Sequence, residues 1–203
     1  MRVGLFGGSF DPIHRGHVEP VEAARRELGL EQVIYLPTAQ PPHKPERRFA
    51  PALARYAMVE LALLSRPALR VSGRELTPGR PAFTIDTVEA LRSERPADDL
   101  VLLVGLDSFL ELPTWRRFGD LLEAVPLGVL TRPGYGLAES AAEDLAPELR
   151  GAIARGTVRF VENAPIAASS SEIRRRLAAG EPVPDGWMDP AVLAFAAKYS
   201  LYR

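Results

Sequence analysis

The stretch GGSFDPIHRGH, residues 7–17, gathers side chains that can handle an anion. Only three histidines occur in the 203-residue chain, and two of them, His14 and His17, stand three positions apart, a spacing that lets both point to one side of a helix's first turn. Each imidazole can donate a hydrogen bond to a phosphate oxygen. Gly7 and Gly8 are expected to allow positive φ and close backbone approach, and a helix starting near Gly16 would offer unpaired N–H groups and a positive dipole end. The pattern reads as a phosphate cradle. It is not a Walker A loop, because no Gly-Lys pair occurs in the chain, and the dinucleotide fingerprint G-x-G-x-x-G is also missing. A reading with one histidine capping the turn and the other packing against it competes. So does a metal reading with Asp11, His14 and His17 as ligands, although no H-E-x-x-H pattern supports it and His43 lies in a basic loop.

Such residues need a scaffold, and the periodicity supplies one. Short apolar runs at 2–6, 32–37, 69–72, 100–105, 127–132 and 157–162 predict strands. Amphipathic stretches near 17–28, 51–65, 84–94, 115–124, 143–155, 170–179 and 189–199 predict helices. Strands apolar on both faces and separated by helices imply a parallel sheet covered on both sides, so the expected fold is a doubly wound α/β domain. The chain is read as one domain, 1–203, with 163–203 as a C-terminal helical appendage. Segment 38–50 reads as a loop and 134–148 as a solvated acidic excursion. In such a sheet ligands bind beyond the carboxyl ends of the strands, where strand order reverses. The second strand ends in Pro37 and Thr38 rather than in an acidic residue for a ribose, which weakens a hydride-transfer reading.

Composition narrows the classes. A chain of 203 residues, 46% hydrophobic, can bury a full core. No apolar run reaches the roughly 20 residues of a membrane span, and the N-terminus lacks a signal-peptide pattern, so a cytoplasmic protein is expected, with no membrane partner. The absence of cysteine excludes disulfides and thiolate catalysis. A net charge of −1 offers nucleic acid no general attraction, so any anion must be bound locally.

With these residues in view, the chain resembles a known family. GGSFDPIHRGH is similar to the G-x-F-D-P-x-[HT]-x-G-H signature of the nucleotidyltransferase α/β phosphodiesterase superfamily, and SSSEIR, 169–174, resembles its second motif, I-S-S-T-x-I-R, with Ala168 for Ile and Ser171 for Thr. His14 rather than Thr resembles the adenylyltransferases of pyridine-nucleotide synthesis. QPPHK (40–44), FTIDT (83–87), GLDSFLELPTW (105–115), TRPGY (131–135) and the closing AFAAKYSLY resemble, in order, the bacterial nicotinate-nucleotide adenylyltransferases. Ala82 and Phe83 stand where that family commonly has Ser-Tyr.

The resemblance implies a Rossmann-like nucleotidyltransferase fold and transfer of the adenylyl group of ATP to nicotinate mononucleotide, giving deamido-NAD and pyrophosphate. It implies catalytic roles for His14, His17 and Arg174. The implied ATP-binding set is Gly8, Ser9, Phe10, His14, His17, Gly105, Asp107, Ser170 and Arg174. Thr38, His43, Lys44, Thr84, Trp115 and Arg132 are implied for the mononucleotide. Mg²⁺ is expected on the triphosphate, with no dedicated protein metal site. Asp107 could equally be a helix N-cap, and Trp115 could simply be buried; Trp187 takes the burial reading. Ser169 is expected to cap the helix that follows, with Glu172 completing a capping box, while Arg175 and Arg176 read as a solvated face. An enzyme preferring nicotinamide mononucleotide, a nucleotide-binding regulator without chemistry, and an oxidoreductase stay open as alternatives. A homo-oligomer is compatible with all of them.

Overall fold

A computed structural model describes residues 1–39, 49–77, 82–131 and 145–203. Its strands are β1 (Arg2–Gly8), β2 (Gln32–Pro37), β3 (Leu69–Val71), β4 (Asp99–Gly105), β5 (Leu127–Thr131) and β6 (Val158–Glu162). They form one six-stranded sheet in the order β3-β2-β1-β4-β5-β6, parallel throughout. Register is fixed by pairs such as Phe6 with Leu103, Val104 with Val129 and Val129 with Phe160. The runs are apolar on both faces because both are covered: Val3, Leu5 and Leu100 to Val104 are all buried. The doubly wound parallel sheet read from the sequence is therefore present.

The helices among the described residues are α1 (Arg15–Glu27), α2 (Ala52–Leu63), α3 (Thr84–Glu94), α4 (Leu106–Glu111), α5 (Phe118–Ala124), α6 (Pro147–Ala154), α7 (Ser170–Ala179) and α8 (Pro190–Lys198). A 3₁₀ turn, Leu112–Thr114, follows α4. The sequence pattern placed a helix over 115–124, where the chain forms the shorter α5, and it gave no sign of α4 and the 3₁₀ turn that precede it. Six residues are too few to show helical periodicity, and Pro113 in the turn interrupts the pattern.

The chain divides into two compact units. The first comprises Met1–Gly7, Val21–Val33 and Phe83–Pro165; α3 packs on α5 and α5 on α6 within it. The second comprises Gly8–Pro20, Ile34–Ala82 and Ile166–Arg203. Its core holds Phe10, Ile13, Tyr35, Met58, Val59, Ile173, Val192 and Ala196, and α2 packs on α8. The C-terminal helices α7 and α8 thus belong to the unit that contains the 8–17 signature.

Sheet order reverses between β1 and β4. The signature leaves the carboxyl end of β1, and Gly105 to Asp107 leave that of β4.

Candidate active site

In the second unit, the signature folds back on itself before α1 begins. The left-handed residue there is Phe10, at φ 46°, and not Gly7 or Gly8 as the sequence suggested. Gly8 is needed for space: a Cβ on it would stand 2.9 Å from the Phe10 ring, whereas one on Gly7 would meet nothing within 4 Å. Phe10 is buried between Tyr35 and the edge of the His17 ring.

The expected cradle of free α1 N–H groups is not what forms. Arg15 N donates to the Trp187 carbonyl at 2.8 Å, Gly16 N to His14 Nδ1 at 3.0 Å, and His17 N to the His14 carbonyl at 2.8 Å. The first N–H groups of α1 are spent within the protein. His14 N in turn donates to His17 Nδ1 at 3.3 Å. Because both Nδ1 atoms accept from backbone N–H groups, each neutral imidazole must carry its proton on Nε2. The rings lie 3.8 Å apart between centroids. Burial pushes His14 down to about 4, and burial together with its neighbour His14 pushes His17 well below its ordinary value. Both rings are therefore neutral at pH 7, a locked pair of Nε2–H donors. Gly16 makes this packing feasible, since a Cβ there would come within 2.9 Å of the His14 ring and 3.3 Å of the Ala168 carbonyl.

The second motif is fastened to the first. Ser169 caps α7, its Oγ accepting from Glu172 N at 3.3 Å, as expected. The Glu172 carboxylate, however, takes up Arg175 and Arg176. Arg175 also reaches Glu181, and Arg176 donates to the Pro182 carbonyl and lies over the half-buried Trp187, so the face is ion-paired as well as solvated, with Arg175 exposed and Arg176 half-buried. Ser170 Oγ donates to the Pro12 carbonyl at 3.0 Å. Arg174 Nη1 donates to the Asp11 carbonyl at 2.6 Å and lies 3.7 Å from the Asp11 carboxylate. The structure thus fastens Ser170 and Arg174 of α7 to the loop that runs from Ser9 to His14 and into His17 at the start of α1.

One residue absent from the sequence reading organises this region. Arg55, on α2 and fully buried, donates to the carbonyls of Ser9 (2.6 Å), Thr38 (2.7 Å), Ala39 (2.8 Å) and Ala50 (2.9 Å). It ties the end of β2 and the start of α2 to the signature. Its sequence signal was a cation in a mostly apolar helix. Thr38 is buried, and its Oγ1 finds no hydrogen-bond partner among the described residues.

The first unit carries the remaining described candidates. Gly105 is the N-cap of α4, which leaves exposed Asp107 in the first turn, not at the cap. Trp115 is half-buried and closes the 3₁₀ turn, its N–H donating to the Leu112 carbonyl. Thr84 opens α3, whose N-cap Phe83 offers no side-chain acceptor. Phe83 instead carries Arg116, whose guanidinium sits 4.5 Å above its ring and 3.9 Å from Asp86. His43, Lys44 and Arg132 lie outside the described residues. Among the described residues no group of three or more His, Asp or Glu could hold a metal ion, and no helix is long and apolar enough to cross a membrane. In the competing Asp11, His14, His17 metal reading, both imidazole Nδ1 atoms are engaged by backbone N–H groups.

Residues 5–176 match the cytidylyltransferase-like family model. A Symbiobacterium thermophilum protein named "Probable nicotinate-nucleotide adenylyltransferase" is 42% identical over 99% of this chain and 95% of its own length. A Chromobacterium violaceum protein of the same name is 39% identical over 100% and 99%. This chain belongs to the nicotinate-nucleotide adenylyltransferase family. The fold agrees: a Plasmodium falciparum nicotinic acid mononucleotide adenylyltransferase solved with NaAD superposes with a TM-score of 0.78 at 17% identity, covering 99% of this chain and 97% of that one.

Proposed function

We infer that this member of the family transfers the adenylyl group of ATP to nicotinate mononucleotide, releasing pyrophosphate and forming deamido-NAD. The observation that carries the reading is the locked imidazole pair, two N–H donors of fixed tautomer on the loop that also holds Ser170 and Arg174. A 5′-phosphate oxygen of the mononucleotide attacks the α-phosphorus of ATP; the bond from that phosphorus to the bridging oxygen breaks, and the electron pair leaves with pyrophosphate. The nucleophile is already ionised at pH 7, so no general base is needed. The protein's task is positioning and charge stabilisation.

His17 and His14 donate from Nε2 to the phosphates of ATP, His17 to the α-phosphate as charge develops there. Arg174 and Ser170, with Gly8, Ser9 and Phe10, hold the triphosphate end. Asp107 accepts from ribose hydroxyls beside Gly105, and Trp115 stacks on the pyridine ring. Thr84 and the N–H groups of the first α3 turn receive the nicotinate carboxylate, a role supported by a cap that offers them no side-chain acceptor. The buried hydroxyl of Thr38, with His43, Lys44 and Arg132, completes the mononucleotide's contacts. Magnesium enters with ATP as part of the substrate. The reaction is assigned to the cytoplasm. Incubation with Mg-ATP and a panel of phosphorylated acceptors tests the reading. Pyrophosphate release with nicotinate mononucleotide and a product of deamido-NAD mass support it; no release with any pyridine mononucleotide overturns it.

A further inference from the structure

The penultimate residue of the chain reaches the first signature. Tyr202 Oη donates to Asp11 Oδ1 at 2.9 Å, across 191 positions of sequence. Asp11 is 1% exposed, and the same oxygen accepts from Ala50 N at 3.1 Å. Burial and the Asp11 carboxylate beside it hold the Tyr202 hydroxyl protonated far above its ordinary range, so it keeps the proton it donates to Asp11. The tail is shaped to deliver it: α8 ends at Lys198, and two of the four residues after Tyr199, Ser200 at φ 51° and Tyr202 at φ 67°, are left-handed without being glycine.

Asp11 is also the point where the second motif takes hold. Its carbonyl accepts from Arg174, and the carbonyl of its neighbour Pro12 accepts from Ser170. His14 follows two residues later. A hydroxyl on the Asp11 carboxylate therefore fixes the one residue that both aims the histidine pair and receives Arg174.

We propose that Tyr202 is a positioning residue for adenylyl transfer, its hydroxyl acting through the Asp11 carboxylate to hold the phosphate-binding loop in its reactive geometry. The kinetic part of this rests on the adenylyl-transfer reading. A residue serving only to pin α8 would act through its ring, which Tyr202→Phe keeps; a positioning residue acts through the O–H, which Tyr202→Phe removes.

The test compares the wild-type enzyme, Tyr202→Phe, Asp11→Asn and the double variant. Tyr202→Phe is expected to melt within a few degrees of wild type and to lose about tenfold in kcat, the scale of one hydrogen bond to a buried charge. Its KM for nicotinate mononucleotide stays within about twofold. Because the two groups act as a unit, the double variant should be no slower than Asp11→Asn alone. A second readout needs no turnover: the ¹⁵N resonances of His14 and His17 in the substrate-free protein should move in Tyr202→Phe. Wild-type kcat in Tyr202→Phe, additive losses in the double variant, or unmoved histidine resonances each overturn the proposal. An inactive wild-type protein would instead count against the adenylyl-transfer reading, and the histidine resonances would still decide the role of Tyr202.

Discussion

Two neutral imidazoles can donate to a phosphate without the cost of holding two adjacent cations in a buried pocket. With Nδ1 of each ring engaged by a backbone N–H, rotation or a tautomer change would break a hydrogen bond, so the Nε2–H groups are fixed before substrate arrives. Removing one such donor costs about 2.7–4 kcal/mol of transition-state stabilisation in comparable sites. His17→Ala is accordingly expected to fold and bind ATP while turning over ~100- to 1000-fold more slowly; steady-state kinetics beside a thermal melt checks this, and near-normal turnover would misassign the donor. The same burial has a thermodynamic signature. His14 titrates near 4 when folded against an ordinary 6.5, so the unfolded chain binds the extra proton first. Stability tied to His14 is fully present above about pH 6.5 and falls as pH drops towards 4, by about 3 kcal/mol at most. Urea unfolding of wild type and His14→Asn at pH 7 and pH 5 should show the wild type losing more; equal losses would mean the ring is not held neutral.

At the level of elements, small residues decide whether the histidines can pack. Alanine at position 16 would favour α1 by roughly 0.5–1 kcal/mol on propensity alone, yet its Cβ would press on the His14 ring and on the Ala168 carbonyl. Gly16→Ala should thus leave the melting temperature close to wild type but cut turnover at least about tenfold, the effect of misplacing one donor, while Gly7→Ala, facing open space, should change neither the melting temperature nor the rate. Side-by-side melts and rates separate the two effects. Arg55 works the other way. Replacing this buried cation with methionine strands four carbonyls and should cost about 3–5 kcal/mol of stability, measured by denaturant unfolding; a loss under ~1 kcal/mol would show that water satisfies those carbonyls.

These elements also show what the sequence could and could not disclose. Strands such as 32–37 and helices such as 84–94 were legible because burial on both faces or along one stripe leaves a periodic trace. The α4 and 3₁₀ segment left none, being shorter than the period that would reveal it. His14, His17, Ser170 and Arg174 were found through the types and spacing of two motifs. Arg55 and Tyr202 were not, because their partners are carbonyls and a carboxylate brought from as far as 46 and 191 residues away. The positive φ expected of Gly7 or Gly8 falls on Phe10, whose ring packing compensates the strain.

For the whole molecule, the central claim is adenylyl transfer to a nicotinate-bearing acceptor. A carboxylate accepts hydrogen bonds only, whereas the nicotinamide amide also presents an N–H₂ that donor groups would face unfavourably. Around the α3 N-terminus the described groups include backbone N–H, the Thr84 hydroxyl and, over Phe83, the Arg116 guanidinium, which also neutralises the Asp86 carboxylate of the same turn. The backbone N–H groups and the guanidinium can only donate, and the hydroxyl can donate or accept. A hydrogen bond to a charged group is worth roughly 1.5–3 kcal/mol, so losing one implies a preference of about 10- to 150-fold. The decisive measurement is kcat/KM for nicotinate mononucleotide and nicotinamide mononucleotide, determined side by side at saturating Mg-ATP by pyrophosphate release. Nicotinate mononucleotide is expected to be preferred by at least ~10-fold; equal values, or a preference for the amide, would contradict adenylyl transfer to a nicotinate-bearing acceptor.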